Sequence, residues 1–131
     1  FYRKEFKKIP KIAITGLNPH CESNYISSEE KRIIIPSIKL LNKINIKIEG
    51  PFPSDTIFSK EHLKNFDVII GMYHDQVLAP MKALFGFDAI NITLGLPFIR
   101  ISPDHGPNSS MLGKNLSNPK SLIEALKFLN K

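Results

Sequence analysis

The apolar positions of the chain fall into short runs that are separated by amphipathic stretches. Residues 12–16 and 68–71 are apolar, rich in β-branched side chains and closed by a glycine, which predicts two buried strands. Residues 46–49, 89–94 and 98–101 predict three further short strands. Because strands that alternate with helices favour a parallel sheet flanked by helices, the pattern predicts an α/β fold with a mainly parallel sheet.

The amphipathic stretches between these strands predict the helices. The run Ser27-Ser28-Glu29-Glu30 predicts a capping box, in which a serine hydroxyl and the Glu30 carboxylate satisfy free N–H groups at a helix start. Pro36 is expected to kink the helix that follows. Further helices are predicted for residues 60–65, 77–85 and 121–129, the last preceded by an Asn-Pro cap. The apolar face of the capped helix consists of Ile33, Ile34, Ile38, Leu41 and Ile44.

Length and cysteine content narrow the class of protein. With 131 residues the chain has the usual size of one domain, and residues 1–131 are predicted to form a single α/β segment. Residues 1–10 resemble the end of an interrupted helix, so we expect a longer protein. The lone Cys21 excludes an internal disulfide and fits a reducing cytoplasm. No apolar run reaches the length of a membrane span, so no membrane partner is expected.

The net charge of +6 includes a basic cluster near the start of the chain. One interpretation is attraction of an anionic substrate or of nucleic acid. The other is the solvated face of a basic helix. We favour the second, because the basic residues are not interleaved with aromatic ones and no nucleic-acid-binding motif occurs, so no nucleic-acid partner is expected. The cluster consists of Arg3, Lys4, Lys7, Lys8 and Lys11.

The run Met72-Tyr73-His74-Asp75-Gln76 is the most informative segment for chemistry. It follows a predicted strand, and open α/β sheets bind ligands at the carboxyl ends of their strands. Imidazole can bind a metal or move a proton near neutral pH, and the adjacent carboxylate can orient it or act as acid or base. His20 also follows a predicted strand, so the two histidines could share a divalent metal with Asp55 nearby. The spacing matches no local zinc motif, which leaves metal binding and a structural role both open.

Three polar side chains in the second part of the chain are candidates for substrate binding. Lys82 lies two turns into a predicted helix and Arg100 ends a predicted strand, so both could bind a phosphate or a carboxylate. Asn91 is a polar residue in an apolar strand, and its amide is expected to have a specific partner. Cys21, beside a histidine, is a weaker candidate for thiol chemistry because adjacent side chains usually point apart.

Five ordered motifs span nearly the whole chain: residues 16–20, 50–56, 72–76, 91–100 and 104–106. Their order and spacing resemble the 4-hydroxythreonine-4-phosphate dehydrogenase family of pyridoxine and pyridoxal phosphate biosynthesis. Five motifs in order are far more specific than a lone glycine signature.

The resemblance implies a reaction, cofactors and a quaternary structure. The family oxidises 4-phosphooxy-L-threonine with NAD or NADP and releases the carboxylate, giving 3-amino-2-oxopropyl phosphate. It uses a divalent metal such as zinc, magnesium or cobalt. Its fold resembles that of the isocitrate and isopropylmalate dehydrogenases, with two lobes and an active site at a homodimer interface. A cytoplasmic oxidoreductase is therefore expected.

The resemblance also assigns roles to individual residues. His20 and His74 match two of three metal-ligating histidines. Asp55 and Asp75 match acidic residues close to the metal and to the reacting hydroxyl, and they form the expected catalytic group together with Lys82. The expected substrate-binding residues are Lys82, Asn91 and Arg100. The expected nucleotide-binding residues are Asp104, His105, Gly106 and Gly113.

The third metal-ligating histidine of the family belongs to an amino-terminal half that this chain lacks. The chain is therefore expected to be a carboxy-terminal half that is inactive alone and needs that missing half as a partner. One alternative is a non-catalytic remnant or a dimerisation module of a split gene. Another is a regulatory domain that binds a nucleotide or an anion without a metal.

Overall fold

Short strands and helices alternate along the chain, as the apolar pattern predicted. The computed structural model describes residues 1–22 and 25–130 and divides the chain into two compact units, Phe1–Pro80 and Met81–Lys131. The strands are β1 (Ile12–Thr15), β2 (Ile48–Phe52), β3 (Val68–Ile70), β4 (Ile90–Thr93) and β5 (Arg100–Pro103). The helices are α1 (Tyr2–Phe6), α2 (Ile35–Lys43), α3 (Lys60–Asn65), α4 (His74–Phe85) and α5 (Lys120–Leu129).

The first unit is built on a three-stranded parallel sheet in the order β2-β1-β3. Its core consists of Ile34 and Ile38, which pack against Ile48 of the edge strand β2. In the central strand β1, Ala13 and Thr15 are fully buried. The predicted parallel sheet and the buried face of the predicted amphipathic helix are thus confirmed, although Ile33 and Ile44 of that face are exposed.

The helix after the predicted capping box begins as a π-helical turn, Glu30–Ile34, and continues as α2. The Ser28 hydroxyl accepts a hydrogen bond from the Lys31 N–H at 3.3 Å, as a capping serine should. The predicted role of Glu30 is wrong. Its side chain is buried, with 1 % exposure, and its carboxylate accepts from the N–H of Asn18, in the loop after β1, at 2.6 Å. Pro36 lies in the first turn of α2, where the π-helical turn passes into the α-helix.

Strand β2 begins two residues later than the predicted strand 46–49 and extends beyond it through Gly50-Pro51 to Phe52. Gly50 has a φ of 136°, and a Cβ atom there would lie 2.5 Å from the carbonyl oxygen of Ile14. Glycine is therefore required by the close approach of β1. Proline is tolerated beside it because β2 is an edge strand.

The second unit contains an antiparallel pair, β4 and β5, which was predicted as part of the mainly parallel sheet. That expectation is wrong for these strands. Only residues 94–99 connect them, and so short a connection returns the chain antiparallel. Helix α5 packs against this hairpin. The buried Ser121 hydroxyl donates to the Ala89 carbonyl at 2.6 Å and accepts from the Asp104 N–H at 3.0 Å.

Several helix boundaries differ from the predicted ones. Helix α4 begins at His74 rather than at residue 77, and α5 begins at Lys120, whose N–H donates to the Asn118 side chain at 3.0 Å. At the start of the chain, α1 ends at Phe6, and Lys7 follows with a φ of 53°. The prediction that residues 1–131 form one segment of a longer dehydrogenase stays a prediction. None of the helices in residues 1–22 and 25–130 has the length and apolarity that a membrane span requires.

Candidate active site

The predicted metal-ligating histidines both lie in the first unit, beyond the ends of neighbouring strands. His20 follows β1 and His74 follows β3, and these strands pair in parallel. The carboxyl ends of parallel strands meet at the same edge of a sheet, which is where open α/β sheets bind ligands. Both side chains are exposed. The sheet therefore directs the two histidine-bearing loops to one edge, as the sequence predicted.

His74 is the first residue of α4, and its ring is paired with the next residue. Its Nδ1 lies 2.7 Å from the Asp75 Oδ1. An ionised carboxylate can only accept, so the contact places a proton on Nδ1, and in the neutral imidazole Nε2 then has a free lone pair. A carboxylate on one ring nitrogen is the usual support for a histidine that binds a metal through the other. The side chains are 77 % and 92 % exposed, so a ligand could approach from solvent.

The loop that carries His20 is held by Asn18. The Asn18 side chain accepts from the His20 N–H at 2.9 Å, and its carbonyl accepts from the Cys21 N–H at 3.0 Å. Its own N–H donates to the buried Glu30 carboxylate. Because a hydrogen bond to a charged, buried acceptor is stronger than a neutral one, Glu30 fixes the start of this loop.

The loop that precedes His74 is held by Gln76. Its side-chain oxygen accepts from the Met72 N–H at 2.7 Å, from the Tyr73 N–H at 3.2 Å and from the Thr15 hydroxyl at 2.8 Å. Its side-chain nitrogen donates to the Gly16 carbonyl at 2.9 Å. One amide thus connects the start of α4 with the end of β1.

The donor chemistry of the two histidines fits a divalent metal, but a full ligand set is not assembled. Within residues 1–22 and 25–130, no three His, Cys, Asp or Glu side chains lie close enough together to hold an ion. The predicted acidic residue Asp55 lies exposed in the turn after β2. This part of the chain therefore offers His20, His74 and the supporting Asp75 as a partial set.

Cys21 does not have the properties of a reactive thiol. Partial burial raises the pKa of its thiol, and the nearby Glu30 carboxylate raises it further, although a hydrogen bond with the Gly16 backbone acts against both. A raised pKa leaves little thiolate near neutral pH. His62, which the family motifs do not include, is half-buried in α3, with its Nδ1 3.0 Å from the Thr56 carbonyl oxygen.

In the second unit, two of the predicted substrate-binding residues share one face of the β4–β5 hairpin. Asn91 pairs with Ser102, and Thr93 pairs with Arg100, so these four side chains alternate with the isoleucines of the opposite face. The Arg100 Nη1 donates to the Thr93 hydroxyl at 2.6 Å. The face combines a guanidinium, an amide and two hydroxyls, which together suit a phosphate or a carboxylate.

Lys82 contacts the segment that follows the hairpin. Its Nζ donates to the Asp104 carbonyl at 3.1 Å, and the Asp104 N–H is held by Ser121. The lysine is exposed, and the carbonyl leaves other protons of the ammonium free to bind an anion.

The predicted nucleotide loop lies beside a cavity of about 390 Å³ in the same unit. His105 and Gly106 line it together with Phe87, Asn108 and Met111. The other two predicted residues are not among the lining residues: Asp104 is tied to α5, and Gly113 adopts a φ of 73° in a turn further on. Aromatic, apolar and amide groups of this kind suit a flat heterocycle.

Four residues with clear roles here were missed as site residues. Gln76 had a local signal, since a glutamine three residues after Tyr73 has capping-box spacing. Glu30 had the same kind of signal, but its actual partner is in another loop. Asn18 had a local signal too, since an asparagine side chain commonly accepts from the N–H two residues on, as it does here from His20. Thr15 had none, because its partner Gln76 is 61 residues away.

Comparison with known proteins now identifies the family. The family model described as "Pyridoxal phosphate biosynthetic protein PdxA" matches residues 2–129. The chain belongs to the PdxA family. A 4-hydroxythreonine-4-phosphate dehydrogenase of Sulfurihydrogenibium sp. is 51 % identical over 120 residues, which cover 91 % of this chain and 37 % of the relative. One from Bradyrhizobium diazoefficiens is 46 % identical over 123 residues, covering 93 % of this chain and 36 % of the relative.

Solved structures of PdxA dehydrogenases share the fold. The crystal structure of the enzyme from Klebsiella pneumoniae gives a TM-score of 0.76 at 34 % identity, covering 96 % of this chain and 39 % of that one. The enzyme from Burkholderia phymatum gives 0.67 at 38 % identity, covering 90 % and 36 %. The predicted α/β class, of the isocitrate and isopropylmalate dehydrogenase type, is confirmed. The chain spans little more than a third of the length of these relatives.

Proposed function

We propose that this PdxA chain supplies the carboxy-terminal part of a metal- and NAD(P)-dependent 4-hydroxythreonine-4-phosphate dehydrogenase. The protein would oxidise and decarboxylate 4-phosphooxy-L-threonine in the cytoplasm, in pyridoxal phosphate biosynthesis. The observation that carries the proposal is the His74–Asp75 pair, 2.7 Å apart beyond the end of β3 in a chain of this family. The pair leaves one imidazole nitrogen free to bind a metal.

The proposal assigns the metal and acid-base roles to residues of the first unit. When bound, a divalent ion such as zinc, magnesium or cobalt would supply a Lewis acid, and the nucleotide would supply the hydride acceptor. His20 and His74 would provide ligands, with Asp75 keeping the His74 proton on Nδ1. Asp55 would act as an acid or base near the substrate hydroxyl.

The polar hairpin face and Lys82 would bind the substrate. Arg100 can form two parallel hydrogen bonds to a phosphate or carboxylate, and Asn91 can donate its amide protons beside it. The Lys82 ammonium would stabilise the negative charge that remains when carbon dioxide leaves, and would then donate a proton to that carbon. The cavity lined by His105 and Gly106, with Asp104 and Gly113 along the same segment, would take the adenosine side of NAD or NADP.

We also propose that the active protein contains a partner chain and a second copy of this chain. Exposed apolar side chains in both units, such as Ile26, Ile99 and Leu126, support burial against further protein. We therefore expect the active form to include an amino-terminal part and to be a homodimer with a shared site.

Reconstitution tests this function. The chain is mixed with the amino-terminal part of the Sulfurihydrogenibium relative, and NADH or NADPH formation from 4-phosphooxy-L-threonine is measured with zinc, magnesium or cobalt. Activity should appear, should be lost in His74→Ala, and should persist in the matched control His62→Ala. A folded, assembled complex without activity would contradict the dehydrogenase and favour the non-catalytic dimerisation module.

A further inference from the structure

Gln76 connects two loops that are distant in sequence. Two of its hydrogen bonds are local and cap the start of α4, through the N–H groups of Met72 and Tyr73. The other two join it to the Thr15 hydroxyl and the Gly16 carbonyl, which lie 61 and 60 residues away. A helix cap requires only the local pair. The long-range pair therefore needs a different explanation.

An amide is suited to this position because it both accepts and donates. The oxygen accepts three hydrogen bonds while the nitrogen donates to a carbonyl, which a carboxylate in its place could not do. Thr15 is fully buried, so its hydroxyl is fixed and points to one partner. Four bonds to one side chain leave the loop before His74 little freedom to move relative to the end of β1.

We propose that Gln76 is a positioning residue that fixes His74 relative to the loop carrying His20. The inference rests on the proposed function in one respect, that these two histidines bind the same divalent metal. Two ligands on separate loops bind an ion well only when their separation is set beforehand, because ordering them on binding costs free energy. Gln76 sets that separation without touching the ion.

Zinc titration of the 131-residue chain, by calorimetry, tests the proposal with matched variants. Gln76→Met removes all four bonds at similar volume and should weaken zinc binding by about tenfold or more, the usual effect of losing a group that orients a ligand. Thr15→Val removes one long-range bond and should produce a smaller loss. Asn42→Leu is the control, since the Asn42 amide also connects two elements, through the backbone of Ile38 in α2 and of Ile48 in β2, but away from the histidines. Its zinc affinity should be unchanged.

A second readout does not depend on zinc. The His20 N–H donates to Asn18 within its own loop, so its hydrogen-exchange rate measures how well that loop is ordered. Gln76→Met should accelerate exchange there only if the side chain couples the two loops, and a mere helix cap would leave it unchanged.

The outcomes separate this inference from the proposed function. Wild-type zinc affinity in Gln76→Met, together with a loss in His74→Ala, would overturn the positioning role and leave the metal function standing. Unchanged affinity in His74→Ala would overturn the metal function. In that case faster exchange at the His20 amide in Gln76→Met supports the positioning role, and unchanged exchange overturns it.

Discussion

Replacing Glu30 by alanine should destabilise the first unit and loosen the loop that carries His20. The carboxylate is buried with 1 % exposure and accepts from the Asn18 N–H at 2.6 Å. Alanine leaves that half-buried N–H without its partner. In the wild-type structure, by contrast, every buried side-chain nitrogen or oxygen in the described part of the chain has a hydrogen-bond partner.

The expected size of the effect follows from two contributions. A hydrogen bond to a charged group contributes about 1.5–3 kcal/mol, and one buried methylene contributes about 0.8 kcal/mol. Glu30→Ala removes both, so the free energy of unfolding should fall by about 2–4 kcal/mol. Glu30→Gln keeps an acceptor for Asn18 but loses the charge, so a loss of about 1 kcal/mol is expected.

Urea unfolding at neutral pH, followed by circular dichroism, measures these differences. The neighbouring Glu29 is exposed and forms no capping hydrogen bond, so Glu29→Gln is the matched control and should stay within about 0.5 kcal/mol of the wild type. Equal stability of Glu30→Ala and the wild type would show that the buried contact with Asn18 does not stabilise the unit. So would an equal loss in Glu29→Gln, because the effect would then come from charge rather than from the buried contact.

Two further predictions concern other contacts. The hydrogen bond from Lys8 and the one from the Lys11 N–H lower the pKa of Asp67, so the stabilisation is present above the ordinary aspartate pKa and is lost as the pH falls from there through the lowered pKa. Asp67→Asn should therefore lower the urea midpoint more at pH 7 than at pH 3, and equal midpoints of the variant and the wild type at pH 7 would contradict this. Ser121→Ala leaves two backbone groups of the second unit without their partner and should cost about 1–3 kcal/mol, whereas Ser37→Ala, on an exposed position of α2, should cost less than about 0.5 kcal/mol. Urea unfolding measures both losses of stability, and equal losses in Ser121→Ala and Ser37→Ala would count against a specific role for Ser121.

The sequence predicted those parts of the fold that depend on local pattern. The apolar runs before Gly16 and Gly71 became β1 and β3, and the amphipathic stretch around Ile38 became the helix that packs against β2 and β1. Pairing of strands is not local, and apolar periodicity does not encode it. The hairpin of β4 and β5 was therefore placed in the wrong kind of sheet.

In the candidate site, too, contacts between neighbours in sequence could be predicted and contacts between distant residues could not. The His74–Asp75 pair could be seen in the sequence because the two residues are adjacent, and family motifs pointed to His20 and Arg100. Glu30 was assigned to its own helix start because capping rules consider only neighbours in sequence. Its true partner became visible only when folding brought the loop after β1 onto it.

The function proposed for this protein depends on the binding of one metal ion by His20 and His74, and paramagnetic cobalt(II) can detect that binding at each ring. Cobalt is titrated into the chain while the ring resonances of the four histidines are followed by NMR. We expect the His20 and His74 rings to shift or broaden together at low cobalt, while those of His62 and His105 are unaffected. A response of all four rings in parallel, or a His74 ring that does not respond, would contradict it.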